Sequence, residues 1–108
     1  SEPETKALAQ FIEKSQIKAL ISYHSAALGI FSGGWPTDKA SINLANLLAP
    51  VSPYSYPPIA TDCVYTGQLI DWASSIGVAA VDVELSNHVD IDLAINFEVL
   101  KSFLNWHP

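Results

Sequence analysis

One imidazole and two carboxylates stand where apolar segments of this chain stop. "IKALISYHS" runs apolar up to His24 and Ser25. "VAAVDVELS" alternates, so that Ala80, Asp82 and Glu84 take one face and Val81, Val83 and Leu85 the other. A neutral imidazole is a metal ligand or a proton carrier, and a carboxylate is a base or a ligand. Two carboxylates sharing a strand face repel each other and lose hydration, unless a cation or a water-filled cleft compensates. Strand ends are where open α/β sheets place their sites, which would make His24 and Glu84 companions. The alternative is an edge strand whose polar face is simply wet, with His24 a satisfied or incidental residue. The two segments alone leave both readings open.

The elements that would position these residues can be read from pattern. "SEPETKALAQFIEKS" has Ser1 and Glu4 at capping-box spacing and Pro3 in the first turn, with Leu8, Phe11, Ile12 and Ser15 on one stripe. The segment 17–24 reads as a buried strand, and "SGGWP" as a loop. "TDKASINLANLLAP" follows as a helix capped by Thr37 or Asp38 and ended by Pro50, with Leu44, Leu47 and Leu48 on one face. Pro53, Pro57 and Pro58 with Tyr54 and Tyr56 make an extended loop that packs through its tyrosines. "GQLIDWASSIG" is a short helix closed by Gly77, with Trp72 in its core. "DIDLAINFEVLKSFLNW" is an amphipathic helix capped by Asp90 or Asp92, with Leu93, Phe97, Leu100 and Leu104 forming its stripe. Strands alternating with helices imply a layered α/β domain containing a parallel pair.

The 108 residues suffice for one domain and one core, and 49% hydrophobic against 15% charged residues fits a folded protein. The net charge is −6, and every basic residue is a lysine: the chain has no arginine. That balance argues against a surface for nucleic-acid phosphates. No apolar run approaches the roughly 20 residues that span a bilayer, and no secretory signal pattern opens the chain. The single Cys63 has no charged or histidine neighbour to activate it and reads as structural. His88, in "SNHVD", reads as a solvated turn residue, and Trp35, Trp72 and Trp106 as packing residues.

Four segments in order, "SEPETKALAQFI", "IKALISYHS", "LIDWASSIG" and "VDVEL", resemble the C-terminal part of the zinc carboxypeptidase family, the carboxypeptidase A-like metallopeptidases. The resemblance implies a three-layer α/β/α domain with a mixed, largely parallel sheet, of which residues 1–108 are the C-terminal portion of the catalytic domain. It implies hydrolysis of C-terminal peptide bonds by zinc-activated water. In that reading His24 matches the third zinc ligand and Glu84 the general base. Ser25 matches a serine that contacts substrate, and Ile70 a residue at the base of the pocket for the terminal side chain. Asp82 would lie in the same pocket. Ile70 favours an apolar terminal residue and Asp82 a basic one, which leaves specificity open. Tyr65 is the nearest candidate for the family's mobile tyrosine, but it stands closer to Trp72 than the family's spacing expects.

The departures carry equal weight. None of the three histidines opens the H-x-x-E motif that supplies the family's other two ligands: His24 precedes Ser-Ala-Ala, His88 precedes Val-Asp-Ile, and His107 precedes the final proline. Nor is there an arginine for an oxyanion or for the substrate carboxylate, roles lysine fills poorly. The expectation is an incomplete peptidase fragment that does not bind zinc tightly by itself, takes peptide substrates in its parent form, and self-associates through exposed sheet surface. The alternative is a non-catalytic relative that keeps the fold as a binding module.

Overall fold

The computed structural model describes residues 2–26, 29–59 and 64–108; Ser1 and Cys63 lie outside them. Helix α1 (Pro3–Ser15) starts from Glu2, which gives no side-chain cap, so the Ser1–Glu4 box is not part of the described helix start. Strand β1 (Ala19–Ser25), the short β2 (Ile30–Ser32) and β3 (Ala79–Leu85) form one sheet in the order β1-β3-β2. β1 runs parallel to β3, and β2 antiparallel to it. Between them come α2 (Lys39–Leu48), a 3-10 turn (Ala49–Val51) and α3 (Leu69–Ser75), and α4 (Leu93–Leu104) follows β3.

Alternation along β3 sorts the core onto two faces. Ala79, Val81 and Val83 pack with Ile30, Leu44, Ala45, Leu48 and Val99, under α2 and α4. Ala80 packs with Ile12, Ile70, Ala73 and Val78, under α1 and α3. The result is three layers, α/β/α, around a mixed sheet. Each fully buried Leu, Ile or Val contributes about 1.5–3 kcal/mol, so the central strand, buried on both faces from Ala79 to Val83, anchors the domain.

Local chemistry sets the joints. Asp38 caps α2, its carboxylate accepting from the Ser41 N–H at 2.9 Å. Ser41 is fully buried and its Oγ accepts from the Ala80 N–H at 2.9 Å, which ties α2 to β3. Gly33 lets α3 approach the sheet: a Cβ there would overlap the Ile70 carbonyl oxygen. Gly77 closes α3 at φ +87, a region open to glycine.

Several expectations need correction. Trp35 is 71% exposed and does not pack, and of the α1 stripe Leu8 and Phe11 are exposed while Ile12 is buried. β1 is not a buried strand: Tyr23, His24 and Ser25 are exposed. The stripe read for α4 faces outward, with Leu93, Phe97, Leu100 and Leu104 all exposed, while Val99, Ile95 and Phe103 face the core. α4 is apolar around most of its circumference, so spacing alone does not choose the buried side. Asp92 occupies the N-cap of α4, yet its carboxylate serves elsewhere, accepting from Tyr54 Oη at 2.7 Å and from the Ser86 hydroxyl and N–H at 2.7 and 3.0 Å. The proline loop does pack through its tyrosines: Tyr54 is buried, and Tyr56 lies 2.9 Å from Ser32 Oγ.

Candidate active site

The parallel register sets His24 directly opposite Glu84, and Ser22 opposite Asp82. On the other flank of β3, Phe31 lies opposite Asp82. One row of side chains across the sheet is therefore Ser22, Asp82 and Phe31, and the next row toward the strand ends holds His24 and Glu84. The same face is closed lower down, where Leu20 and Ala80 lie under α1 and α3. It opens at the strand ends, where the His24 side chain is 53% exposed. Sheet topology thus brings His24 and Glu84, 60 residues apart in sequence, side by side at one end of the sheet.

Asp82 is the unusual member. Its side chain is only 7% exposed, and Oδ1 has no hydrogen-bond partner. That oxygen lies 3.5 Å from His24 Nε2, and Ser22 Oγ lies 3.0 Å from the same nitrogen. Burial pushes the Asp82 carboxyl above the ordinary carboxylate value. The His24 imidazole and the Ser22 hydroxyl pull it down, while the Glu84 and Asp71 carboxylates push it further up.

Two adjoining clefts flank these residues. A small one of about 110 Å³ is lined by Phe31, Tyr65, Gln68, Asp82 and Glu84. A wider one of about 270 Å³ includes Trp35, Val64, Ile70 and Asp71, and shares Phe31, Tyr65 and Gln68 with the first. Phe31 and Tyr65 meet edge to face with ring centres 6.2 Å apart, and they form the common wall. Ile70 and Asp82, which the sequence set in one pocket, therefore line different clefts. Asp71 is held in place by accepting from the Gly34 N–H at 3.0 Å. Tyr54 and Tyr56 pack on the opposite side of the sheet and do not reach either cleft.

Ser25 is exposed at the end of β1, its Oγ 3.2 Å from His88 Nδ1. His88 thus sits beside the strand ends. Ser22, Phe31, Gln68 and His88 were not singled out as site residues from the sequence. The signal for Ser22 was its place two residues before His24, and for His88 its place just past the end of "VDVEL". Phe31 and Gln68 carry no such signal, because β2 and the start of α3 bring them in from elsewhere.

A zinc site of the peptidase kind needs three protein ligands and an open position. Among the described residues, no group of three or more His, Cys, Asp or Glu side chains could hold a metal ion. The described residues therefore do not make a complete zinc site.

No protein-family model matches the chain, and no curated protein matches it. Among solved structures the chain is similar to the crystal structure of murein-tripeptide amidase MpaA from Escherichia coli O157, with a TM-score of 0.65 at 23% sequence identity. The match covers 100% of this chain and 43% of that one. At this identity the likeness shows the fold, an α/β/α arrangement with a mixed sheet.

Proposed function

We propose that the chain carries part of a zinc-dependent site that hydrolyses C-terminal peptide or related amide bonds, with Glu84 as general base and His24 as one metal ligand. The observation that carries this reading is the register that sets His24 opposite Glu84 at the open end of two adjacent parallel strands. The four segments in order and a structural neighbour that is an amidase support it.

The chemistry a bound zinc would supply is polarisation of the scissile carbonyl and acidification of a water. The Glu84 carboxylate takes a proton from the attacking water as the O–C bond forms. It returns that proton to the leaving nitrogen as the C–N bond breaks. His24 would supply one electron pair to the metal. In this reading Ser25, beside His24, touches substrate, and Tyr65 with Phe31 walls the cleft. The wider cleft, with Ile70, Val64 and Trp35, receives the terminal side chain and favours an apolar one.

The test is hydrolysis by the protein expressed from its whole coding sequence, with zinc supplied and N-blocked dipeptides as substrates. Release of an apolar terminal residue at least tenfold faster than of lysine supports the reading. No release of any terminal residue, with zinc bound, supports the non-catalytic module instead. The coding sequence upstream of Ser1 offers an independent check: an in-frame H-x-x-E followed by Asn-Arg supports the peptidase.

A further inference from the structure

Helix α4 is apolar on two opposite sides. Ile95, Val99 and Phe103 pack against the core, while Leu93, Phe97, Leu100 and Leu104 face outward at 43–80% exposure. The outward residues follow one another at intervals of four, three and four positions. That spacing holds them in one narrow stripe and is the a/d spacing of a seam between two helices. Val89 and Ile91, in the turn that leads into α4, are exposed as well and lengthen the stripe. A surface helix ordinarily turns polar residues outward, so a second apolar stripe marks a contact surface. Side chains of this kind carry roughly 60–120 Å² of apolar surface each, so the six leave on the order of 350 Å² open to water. Since about 60% of an interface is apolar, that patch corresponds to roughly 600 Å² per partner, the size of a small reversible dimer.

We propose that α4 pairs with α4 of a second copy of this chain, antiparallel, about a twofold axis between Phe97 and Leu100. The stripe is its own complement in that arrangement. Leu93 meets the partner's Leu104, Phe97 meets the partner's Leu100, and each pair recurs across the axis, as an isologous contact requires. A covering segment from elsewhere has no need of that symmetry. Charge selects the antiparallel direction. Glu98 and Lys101 lie on the same flank of the stripe, where they bridge at 3.0 Å, and both are well exposed. An antiparallel twofold brings like flanks together, so Glu98 meets the partner's Lys101 at two symmetric places, about 3 Å out of level by the helical rise. A parallel pair would instead set this charged flank against the opposite one, which holds Asn96 and Phe103. The pairing rests on α4 and not on the proposed hydrolysis.

Sedimentation equilibrium of the protein expressed from its whole coding sequence tests the pairing, over roughly 1–100 µM, the affinity range of a small interface. A reversible monomer–dimer equilibrium is expected. Phe97→Glu is expected to weaken it at least about 30-fold, the weight of one central anchor side chain. Glu98→Lys sets lysine against lysine at both symmetric places and is expected to weaken it about tenfold, and adding Lys101→Glu restores it. Circular dichroism at a dilution where the wild type is monomeric shows whether each variant keeps the fold. The charge exchange alters no packed side chain, so it decides the matter even where Phe97→Glu unfolds. Direction is read by disulfide cross-linking in a Cys63→Ser background: Leu93→Cys and Leu104→Cys chains cross-link when mixed and not when alone. A monomer throughout the range overturns the inference. So does a dimer of unchanged strength in Phe97→Glu and Glu98→Lys, which would move the contact elsewhere, such as the β1 edge of the sheet. Cross-linking of Leu93→Cys chains alone overturns the antiparallel direction.

Discussion

Replacing Ser41 by alanine tests how the central strand is held. β2 is only three residues long, and the N–H of Gly33, just past its end, donates to the Ala80 carbonyl at 2.9 Å. The Ala80 N–H, at a residue with no exposed surface, donates instead to Ser41 Oγ. Ser41 donates its single proton to Asp38 Oδ2 at 3.0 Å, so its 3.0 Å contact with Ser74 is accepted from the Ser74 hydroxyl. One buried hydroxyl thus links the cap of α2, the end of α3 and the ladder of β3. Ser41→Ala leaves the Ala80 N–H with no partner, a cost of about 1–3 kcal/mol, and removes a hydrogen bond to Asp38 worth about 1 kcal/mol. The sum is about 3 kcal/mol, which lowers Tm by roughly 12–20 °C in a domain of this size. Ser74→Ala is the control: it removes one half-exposed hydrogen bond and orphans no backbone group, so it costs about 0.5–1 kcal/mol. Thermal unfolding of both variants, followed by circular dichroism, gives the comparison. Equal losses in the two, or a Ser41→Ala loss under about 1 kcal/mol, would refute the linkage.

Gly33→Ala forces α3 away from the sheet, because the new Cβ overlaps the Ile70 carbonyl oxygen; a loss of about 3 kcal/mol or more in urea unfolding is expected. On α4, Val99→Ala is expected to cost about 1–3 kcal/mol and Phe97→Ala under about 1 kcal/mol, since Val99 is fully buried and Phe97 is 57% exposed. The reverse order would show that α4 is turned the other way. The Tyr54–Asp92 bond predicts a pH window. Hydrogen bonds from Tyr54 and Ser86 hold the Asp92 carboxyl below its ordinary value, so its contribution is present above about pH 4 and lost as pH falls through the lower folded value. Burial, reinforced by Asp92, pushes the Tyr54 hydroxyl up to about 12, so its contribution is present below about pH 10 and lost as pH rises through the folded value. Asp92→Asn should flatten the acid edge and move the alkaline loss to lower pH; a stability–pH curve unchanged from wild type would contradict this pairing.

The parts of the fold written in short-range pattern were legible. Alternation in "VAAVDVEL" separates the apolar face from the Asp82–Glu84 face, and the glycine after "LIDWASSI" marks the end of α3. Asp38, one of two expected caps, is the residue that caps α2. What the sequence hides is set by tertiary contact. β2 is a three-residue strand next to Gly33, too short to show a period. α4 offers apolar residues on most sides, and only the sheet beneath selects Val99 over Phe97. Ser41 reads as an ordinary polar helix residue until the end of β2 leaves Ala80 needing an acceptor. For the site, residue types marked His24 and Glu84, but only the parallel register shows that they face each other. Asp82 was visible as a charge on the right face. Its orientation toward His24, and its separation from the Ile70 cleft, follow from packing that no spacing encodes.

The most direct measurement of the central claim is the split between turnover and zinc content in Glu84→Gln and His24→Ala, made in the protein expressed from its whole coding sequence. If Glu84 is the base and His24 a ligand, Glu84→Gln lowers kcat by about 10²–10⁴-fold and keeps zinc at the wild-type stoichiometry, while His24→Ala loses the zinc itself. A Glu84→Gln enzyme that turns over at the wild-type rate, or a His24→Ala protein that retains its zinc, would contradict the site.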